Sequence, residues 1–117
     1  MKNKIKYLLL CISMIFAQFN WDDNGIPIRQ GYHIEWYRGG DLSQDNGMII
    51  VWSDTRTSSR DVYAQKVDSS GDVMWDEGGV LVSGGSGRQE DPIVIADKVM
   101  GGAFITWRNY DNDPIYG

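Results

Sequence analysis

The feature that most constrains this chain is an internal repeat with a period of about 54 to 55 residues. Four of the five tryptophans form two pairs with this spacing, Trp21 with Trp75 and Trp52 with Trp107. The residues around each pair recur with them: WDDNGIPI at 21–28 returns as WDEGGVLV at 75–82, and GMIIVW at 47–52 returns as GAFITW at 102–107. A fixed period of this order is typical of solenoids and propellers, whose units bury their apolar faces only against neighbouring units.

The segment 1–17 has the pattern of a secretory signal peptide. Three lysines precede an apolar run at 7–16, and the small residue Ala17 follows it. The run is too short to span a membrane, which takes about 20 apolar residues. We expect cleavage after Ala17, which leaves 18–117 as a secreted or cell-surface protein without stable membrane insertion. Lipid attachment at Cys11 is the alternative, although the residues before it lack the small side chain that such processing requires.

The mature protein is strongly acidic. The leader contains three of the 11 basic residues and none of the 16 acidic ones, so 8 basic residues remain against 16 acidic ones. This charge argues against nucleic acid and anionic membranes as partners and suits a solvated extracellular surface. The leader also contains the only cysteine, so the stability of the mature protein must come from packing rather than from a disulfide.

Beyond the leader the pattern is that of an all-β protein. Short apolar runs alternate with clusters of glycine, aspartate, asparagine and serine, and no window keeps apolar residues at helical spacing. The expected strands are 48–52, 61–68, 73–75, 91–97 and 103–107. We expect 48–52 and 61–68 to pair as an antiparallel hairpin across the polar loop 53–60, with 73–75 as a short outer strand. The runs 48–52 and 103–107 should be buried on both faces.

Four motifs follow one another in the middle of the chain. They are WSDTR at 52–56, DVYAQKVD at 61–68, Gly71 with Trp75, and GVLVS at 79–83. This succession resembles the repeats of large secreted bacterial β-propeller proteins. The resemblance implies antiparallel four-stranded blades, about two of them and incomplete, over 18–117. Since WRNYD replaces the first motif in the second unit and the sequence stops in mid-repeat, we expect the N-terminal part of a longer gene product.

Two pairs of residues are candidates for ligand binding. Trp36 and Tyr37 have no aromatic counterpart in the second unit, whereas the repeated tryptophans are expected to pack in the core. Asp54 and Arg56 lie at the start of the polar loop. The structural alternative for this second pair is that Asp54 and Asp61 surround Arg56 and fix the hairpin through charge-assisted hydrogen bonds.

No residue is predicted to be catalytic, to bind a metal or to hold a cofactor. His33 is the only histidine, and no motif places a nucleophilic serine beside it. The glycine clusters lack the Lys-Ser/Thr of a phosphate loop. The segment 109–113 has alternating oxygen ligands, but it lacks the glycine and the distal glutamate of a dedicated calcium loop.

These observations favour a non-enzymatic binding or scaffold module whose partner is an extracellular protein or a glycan. The alternative is that the chain supplies the N-terminal blades of a secreted, sialidase-like propeller glycan hydrolase. Acidic, arginine and tyrosine residues gathered at one end of successive inner strands would favour the hydrolase. Near-identical loops would favour the scaffold, and the fold alone supplies no chemistry.

Overall fold

The computed structural model describes residues 25–29 and 35–110, with the backbone alone at 35–37. Over these ranges the protein is all-β and contains no helix. The strands are β1 (Glu35–Leu42), β2 (Met48–Asp54), β3 (Asp61–Val67), β4 (Val80–Ser83), β5 (Gln89–Ala96) and β6 (Ala103–Asn109). The predicted all-β class is therefore confirmed, while the predicted signal peptide lies outside the described residues.

The first four strands form one antiparallel sheet in chain order, β1-β2-β3-β4. The pairing of β2 with β3 runs without interruption from Met48 opposite Val67 to Asp54 opposite Asp61. This is the hairpin that the two apolar runs and the polar loop predicted. A meander of this kind places each strand beside its sequence neighbour.

The predicted outer strand at 73–75 is wrong, because β4 takes that place. Val73 makes only an isolated bridge with Val67. The reason lies in the buried side chain of Gln65. Its oxygen accepts a hydrogen bond from the backbone N–H of Trp75 at 3.0 Å, and its NH2 group donates one to the carbonyl of Asp76 at 2.9 Å. These backbone groups would otherwise pair with a neighbouring strand. The backbone at Trp75 and Asp76 is therefore bound to the Gln65 side chain, and the chain pairs with β3 as a strand only from Val80 onward.

The second sheet consists of β5 and β6 and has the pairing register of β1 and β2. β5 has the length of β1, and β6 has the length of β2; each begins one sequence period after its counterpart. Asp41 pairs with Ile49, and the residues one period later, Ile95 and Phe104, pair with each other. The irregularity that follows Trp36 recurs after Glu90, its counterpart in β5.

The core lies between the two sheets. Its buried members are Ile49, Val51, Ala64, Val94 and Ala96, which come from β2, β3 and β5. Burial of such side chains stabilises the fold by about 25 cal/mol per Å² of apolar surface.

A polar contact crosses the same interface. The backbone N–H of Ala96 donates to Oδ2 of Asp41 over 2.9 Å. This hydrogen bond is the main reason that the pKa of Asp41 lies below its usual value; partial desolvation opposes it. The carboxylate thus fixes the relative position of β1 and β5 while the apolar side chains fill the space beside it.

The outer face of the second sheet is open, so the expectation that 103–107 is buried on both faces is wrong for this structure. Phe104 is exposed, as are Ile93 and Ile95 on the adjacent strand. Trp107, which alternation places on the other face with Ile105, is exposed at the end of β6. Ile105 on the opposite face of β6 is half-buried against the core. The sheet therefore has one packed face and one apolar face in solvent.

Candidate functional site

The loop end of the β2–β3 hairpin contains a buried carboxylate. The side chain of Asp54 has no solvent exposure. The indole N–H of Trp52 donates to its Oδ2 at 2.9 Å. Nε of Arg56 lies 3.0 Å from both carboxylate oxygens, and Nη2 of the same guanidinium lies 2.6 Å from Oδ2. The spacing of the W-S-D-x-R motif therefore gives one carboxylate an aromatic donor and an arginine from its own hairpin.

A second guanidinium reaches the same carboxylate from the segment 25–29. Nε of Arg29 lies 3.2 Å from Oδ2 of Asp54, and the Arg29 side chain is almost fully buried. Burial by itself would raise the pKa of Asp54, but the hydrogen bonds from Arg56 and Trp52 lower the pKa by more. The carboxylate is therefore held in its ionised form, as a buried charge with several partners is expected to be.

Aromatic rings complete this arrangement, which we name the Asp54 cluster: Arg29, Trp52, Asp54, Arg56 and Tyr63. The guanidinium carbon of Arg56 lies 3.7 Å from the ring centroid of Tyr63, and the rings of Trp52 and Tyr63 stack with centroids 6.2 Å apart. A cation over an aromatic face is attracted by the ring quadrupole. Only about a fifth of the Arg56 side chain remains exposed, at 22 %.

Gly79 permits the close packing on the Trp52 ring. A Cβ atom at position 79 would lie 2.5 Å from Cη2 of Trp52 and 2.8 Å from the carbonyl oxygen of Ala64, and the residue has a φ of +88°. Both the contact and the backbone angle require glycine. Three of the sequence motifs therefore meet at one tryptophan.

Asp61 does not share Arg56 with Asp54, so that part of the hairpin interpretation is wrong. Its carboxylate accepts hydrogen bonds from the hydroxyl of Thr57 and, at 3.0 Å, from the hydroxyl of Ser59. The two carboxylates therefore bind different side chains of the loop: Asp54 binds Arg56, and Asp61 binds the hydroxyls of Thr57 and Ser59.

The four predicted binding residues lie at one end of the first sheet. Trp36 pairs with Ser53, the neighbour of Asp54, and the register shifts between Trp36 and Arg38, where Tyr37 lies. The side chains of Trp36 and Tyr37 fall outside the described residues. Of the four, Asp54 is enclosed by its partners and Arg56 retains a solvent-facing edge.

Two cavities flank the segment 25–29. The first has a volume of about 340 Å³ and is lined by Pro27, Ile28, Arg29, Val73, Trp75, Glu77 and Gly78. The second has a volume of about 250 Å³ and is lined by Ile26, Pro27, Ile28, Arg29, Arg38, Ile50 and Trp52. The first is near the lower limit of ligand pockets, roughly 300 Å³. It offers the indole of Trp75 and the carboxylate of Glu77, which suit a sugar or a polar peptide side chain.

A second polar cluster lies at the corresponding end of β5 and β6. We name it the Tyr110 cluster; its members are Arg88, Glu90, Asp91, Arg108 and Tyr110. The Tyr110 ring has the guanidinium carbon of Arg88 at 5.2 Å and that of Arg108 at 5.0 Å from its centroid. Arg88 also pairs with Glu90 at 3.5 Å, and Arg108 pairs with Asp91 at 3.2 Å. The sequence analysis considered Tyr110 only as part of the segment 109–113 and missed this cluster.

The part of the chain that the structure describes contains no group of three or more histidine, cysteine, aspartate or glutamate residues that could hold a metal ion. In the segment 109–113, Asp111 to Asp113 lie outside the described residues, as does His33. The described ranges also lack a helix with the length and apolarity to cross a membrane.

No protein-family model, curated protein or solved structure matches this chain significantly. The resemblance to secreted propeller repeats therefore depends on the motifs themselves.

Proposed function

We propose that this chain is part of an extracellular β-propeller repeat protein that acts as a non-enzymatic binding or scaffold module. The observation that carries the proposal is the common register of β1–β2 and β5–β6. The two pairs of strands are offset along the chain by the same period as the sequence repeat. Stacking of equivalent sheets face to face is the packing by which repeat units bury their apolar surface.

The location of the motif residues supports a structural role for the motifs. Asp54 has its oxygens occupied by Trp52, Arg29 and Arg56. A general acid or base needs a pKa near the working pH and access to substrate. The lowered pKa of Asp54 and its complete burial give it neither property. The motif thus stabilises the unit and leaves recognition to other surfaces.

The cavity of about 340 Å³ is the surface that best suits a binding role. Trp75 provides an aromatic wall, and Glu77 provides hydrogen-bond acceptors at the exposed rim. Glycans and polar peptides are bound by this combination of an apolar platform with a few polar groups. An exported protein, as the predicted leader at 1–17 implies, would present the cavity to partners outside the cell.

One observation favours the hydrolase alternative. The Tyr110 cluster gathers acidic, arginine and tyrosine residues at one end of β5 and β6, as that alternative requires. Retaining and inverting glycosidases use two carboxyl groups about 5 to 10 Å apart, one of which acts as an acid. Glu90 is paired with Arg60 and Arg88, and Asp91 is paired with Arg108. Both carboxylates are therefore engaged by guanidinium groups, which argues for a structural role.

The test compares binding with turnover on the secreted protein. Binding to a panel of glycans and to extracellular proteins of the producing organism is measured for the native chain, Glu77→Gln and Glu90→Gln. Hydrolysis by the same three proteins is measured with chromogenic glycosides. The proposal predicts binding without turnover, and a loss of about tenfold or more in affinity for Glu77→Gln alone. Turnover that disappears in Glu90→Gln would establish the hydrolase instead.

A further inference from the structure

The open face of the second sheet is equivalent to a face that is covered in the first. Ile93, Ile95 and Phe104 are 62 %, 63 % and 69 % exposed. The residues at the same register positions in the first sheet are Gly39, Asp41 and Ile49. Those three lie under β5: the position of a Cβ at Gly39 is 3.4 Å from the Pro92 carbonyl, Asp41 binds Ala96, and Ile49 is in the core.

The first sheet retains the face that would complete this contact. In the internal interface β5 buries Val94 and Ala96. Their counterparts on β1 are Gly40 and Leu42, both exposed, Leu42 by 56 %. We name the exposed face of Ile93, Ile95 and Phe104 on β5–β6 the receptor face. The exposed face of Gly40 and Leu42 on β1–β2 is the matching docking face.

A cavity marks the centre of the docking face. The smaller cavity, of about 250 Å³, has Ile26, Ile28 and Ile50 among its walls. The counterparts of these three residues are Val80, Val82 and Ile105, and they pack against the core cluster that includes Ile49. The counterpart of Ile49 is Phe104, which is in solvent. The cavity therefore shares these three apolar walls with the internal core, is also lined by Arg29, Arg38 and Trp52, and lacks the side chain equivalent to Ile49.

Side-chain sizes differ between the two faces and the internal interface. The receptor face gains bulk where Ile93 stands for Gly39, and the docking face loses bulk where Gly40 stands for Val94. Elsewhere apolar bulk is added, because Ile95 stands for Asp41, Phe104 for Ile49 and Leu42 for Ala96. The cavity beside Ile50 is the space that can receive added bulk. Both faces belong to the same chain, so a second copy is a suitable occupant.

We propose that copies of this chain associate head to tail, with Phe104 of one copy in the cavity beside Ile50 of the next and with Ile95 against Leu42. The contact repeats the internal packing of β5 on β1 and β2. Because it joins two different faces, a dimer leaves one of each face free, and growth continues to a ring or a filament. The inference goes beyond the proposed binding role and depends on the equivalence of the two registers.

Cysteine cross-linking tests the geometry. In the secreted chain with any remaining Cys11 replaced by serine, Ile95→Cys and Leu42→Cys are made as separate variants and mixed under mild oxidation. The proposal predicts a disulfide-linked dimer in the mixture and none in either variant alone. The control is Ser69→Cys, exposed in the turn after β3, which should not cross-link to Leu42→Cys. Absence of the mixed dimer, or cross-linking of Ile95→Cys with itself, would overturn the proposal.

The mass of the assembly provides an independent readout. Sedimentation should show oligomers of the native chain, and Phe104→Asp should return the mass to the monomer. Val99→Asp is the matched control, since Val99 is 79 % exposed in the β5–β6 turn and away from the receptor face. Circular dichroism checks that both variants keep their β content. A native chain that is monomeric, or oligomers that persist in folded Phe104→Asp, would contradict the proposal whatever the glycan-binding test gives.

Discussion

The indole N–H of Trp52 donates to Oδ2 of Asp54 across 2.9 Å, from two positions earlier on the same strand. Alternate residues of a strand share one face, so this contact is set by the local geometry of β2. The carboxylate then receives Arg56 from the loop and Arg29 from a distant segment. The motif thereby joins the hairpin, its loop and the segment 25–29 at one charge.

Replacement of Trp52 by alanine should destabilise the protein strongly. The side chain is 2 % exposed and stacks on Tyr63. We expect a loss of about 3 to 5 kcal/mol in the free energy of unfolding, measured by urea denaturation, as for other large buried aromatics. Trp107→Ala is the matched control, since Trp107 is its exposed counterpart. Equal losses in the two variants would contradict the described packing.

Replacement of Asp54 by asparagine should leave two guanidinium groups without their carboxylate. We expect a loss of about 3 to 5 kcal/mol at pH 7, the usual effect of breaking a buried ion pair. Asp72→Asn, in the exposed turn after β3, should change stability by no more than about 0.5 kcal/mol. If the two variants unfold at the same urea concentration, Asp54 does not have the structural role described.

The same aspartate should make stability depend on acid pH. Its pKa is lowered in the folded state, so its stabilising contribution is complete above the unfolded value of about 3.9 and is lost as pH falls through the lower folded pKa. The difference in unfolding free energy between the native chain and Asp54→Asn should therefore shrink below about pH 4. A difference that stayed constant from pH 7 to pH 2 would contradict the lowered pKa.

How far the sequence predicts the fold depends on whether a feature is local. The β2–β3 hairpin follows from two apolar runs and the polar loop between them. β1 was missed because Gly39 and Gly40 interrupt its apolar pattern; it becomes a strand through pairing with β2 and coverage by β5. Such tertiary context outweighs strand propensity. The outer strand was misplaced because the side chain of Gln65 captures the backbone that follows β3.

The same distinction between local and non-local features applies to the candidate site. Asp54 and Arg56 were predicted together because they are close neighbours along one loop. Arg29 was not predicted, since its counterpart in the repeat is Ser83, which has no charge, and only folding brings it to Asp54. Tyr110 is likewise held by arginines from two segments, Arg88 and Arg108. Contacts of this kind depend on register between distant strands, which composition does not encode.

Replacement of Gly79 by alanine should disturb the Trp52 ring. The added Cβ would meet that ring at 2.5 Å, and the backbone φ of +88° is strained for any other residue. We expect a loss of about 1 to 3 kcal/mol in unfolding free energy, together with a change in tryptophan fluorescence. Gly102→Ala should be nearly neutral, because a Cβ there would have no atom within 4 Å. A neutral Gly79→Ala would contradict the close contact.

A crystal structure of the secreted protein would test the repeat account most directly. The account predicts that a further sheet covers Ile95 and Phe104 in the orientation in which β5 and β6 cover Asp41 and Ile49, and that successive sheets surround one axis as blades do. A solvent-exposed Phe104 in the assembled protein, or a covering sheet in the reverse orientation, would contradict the account.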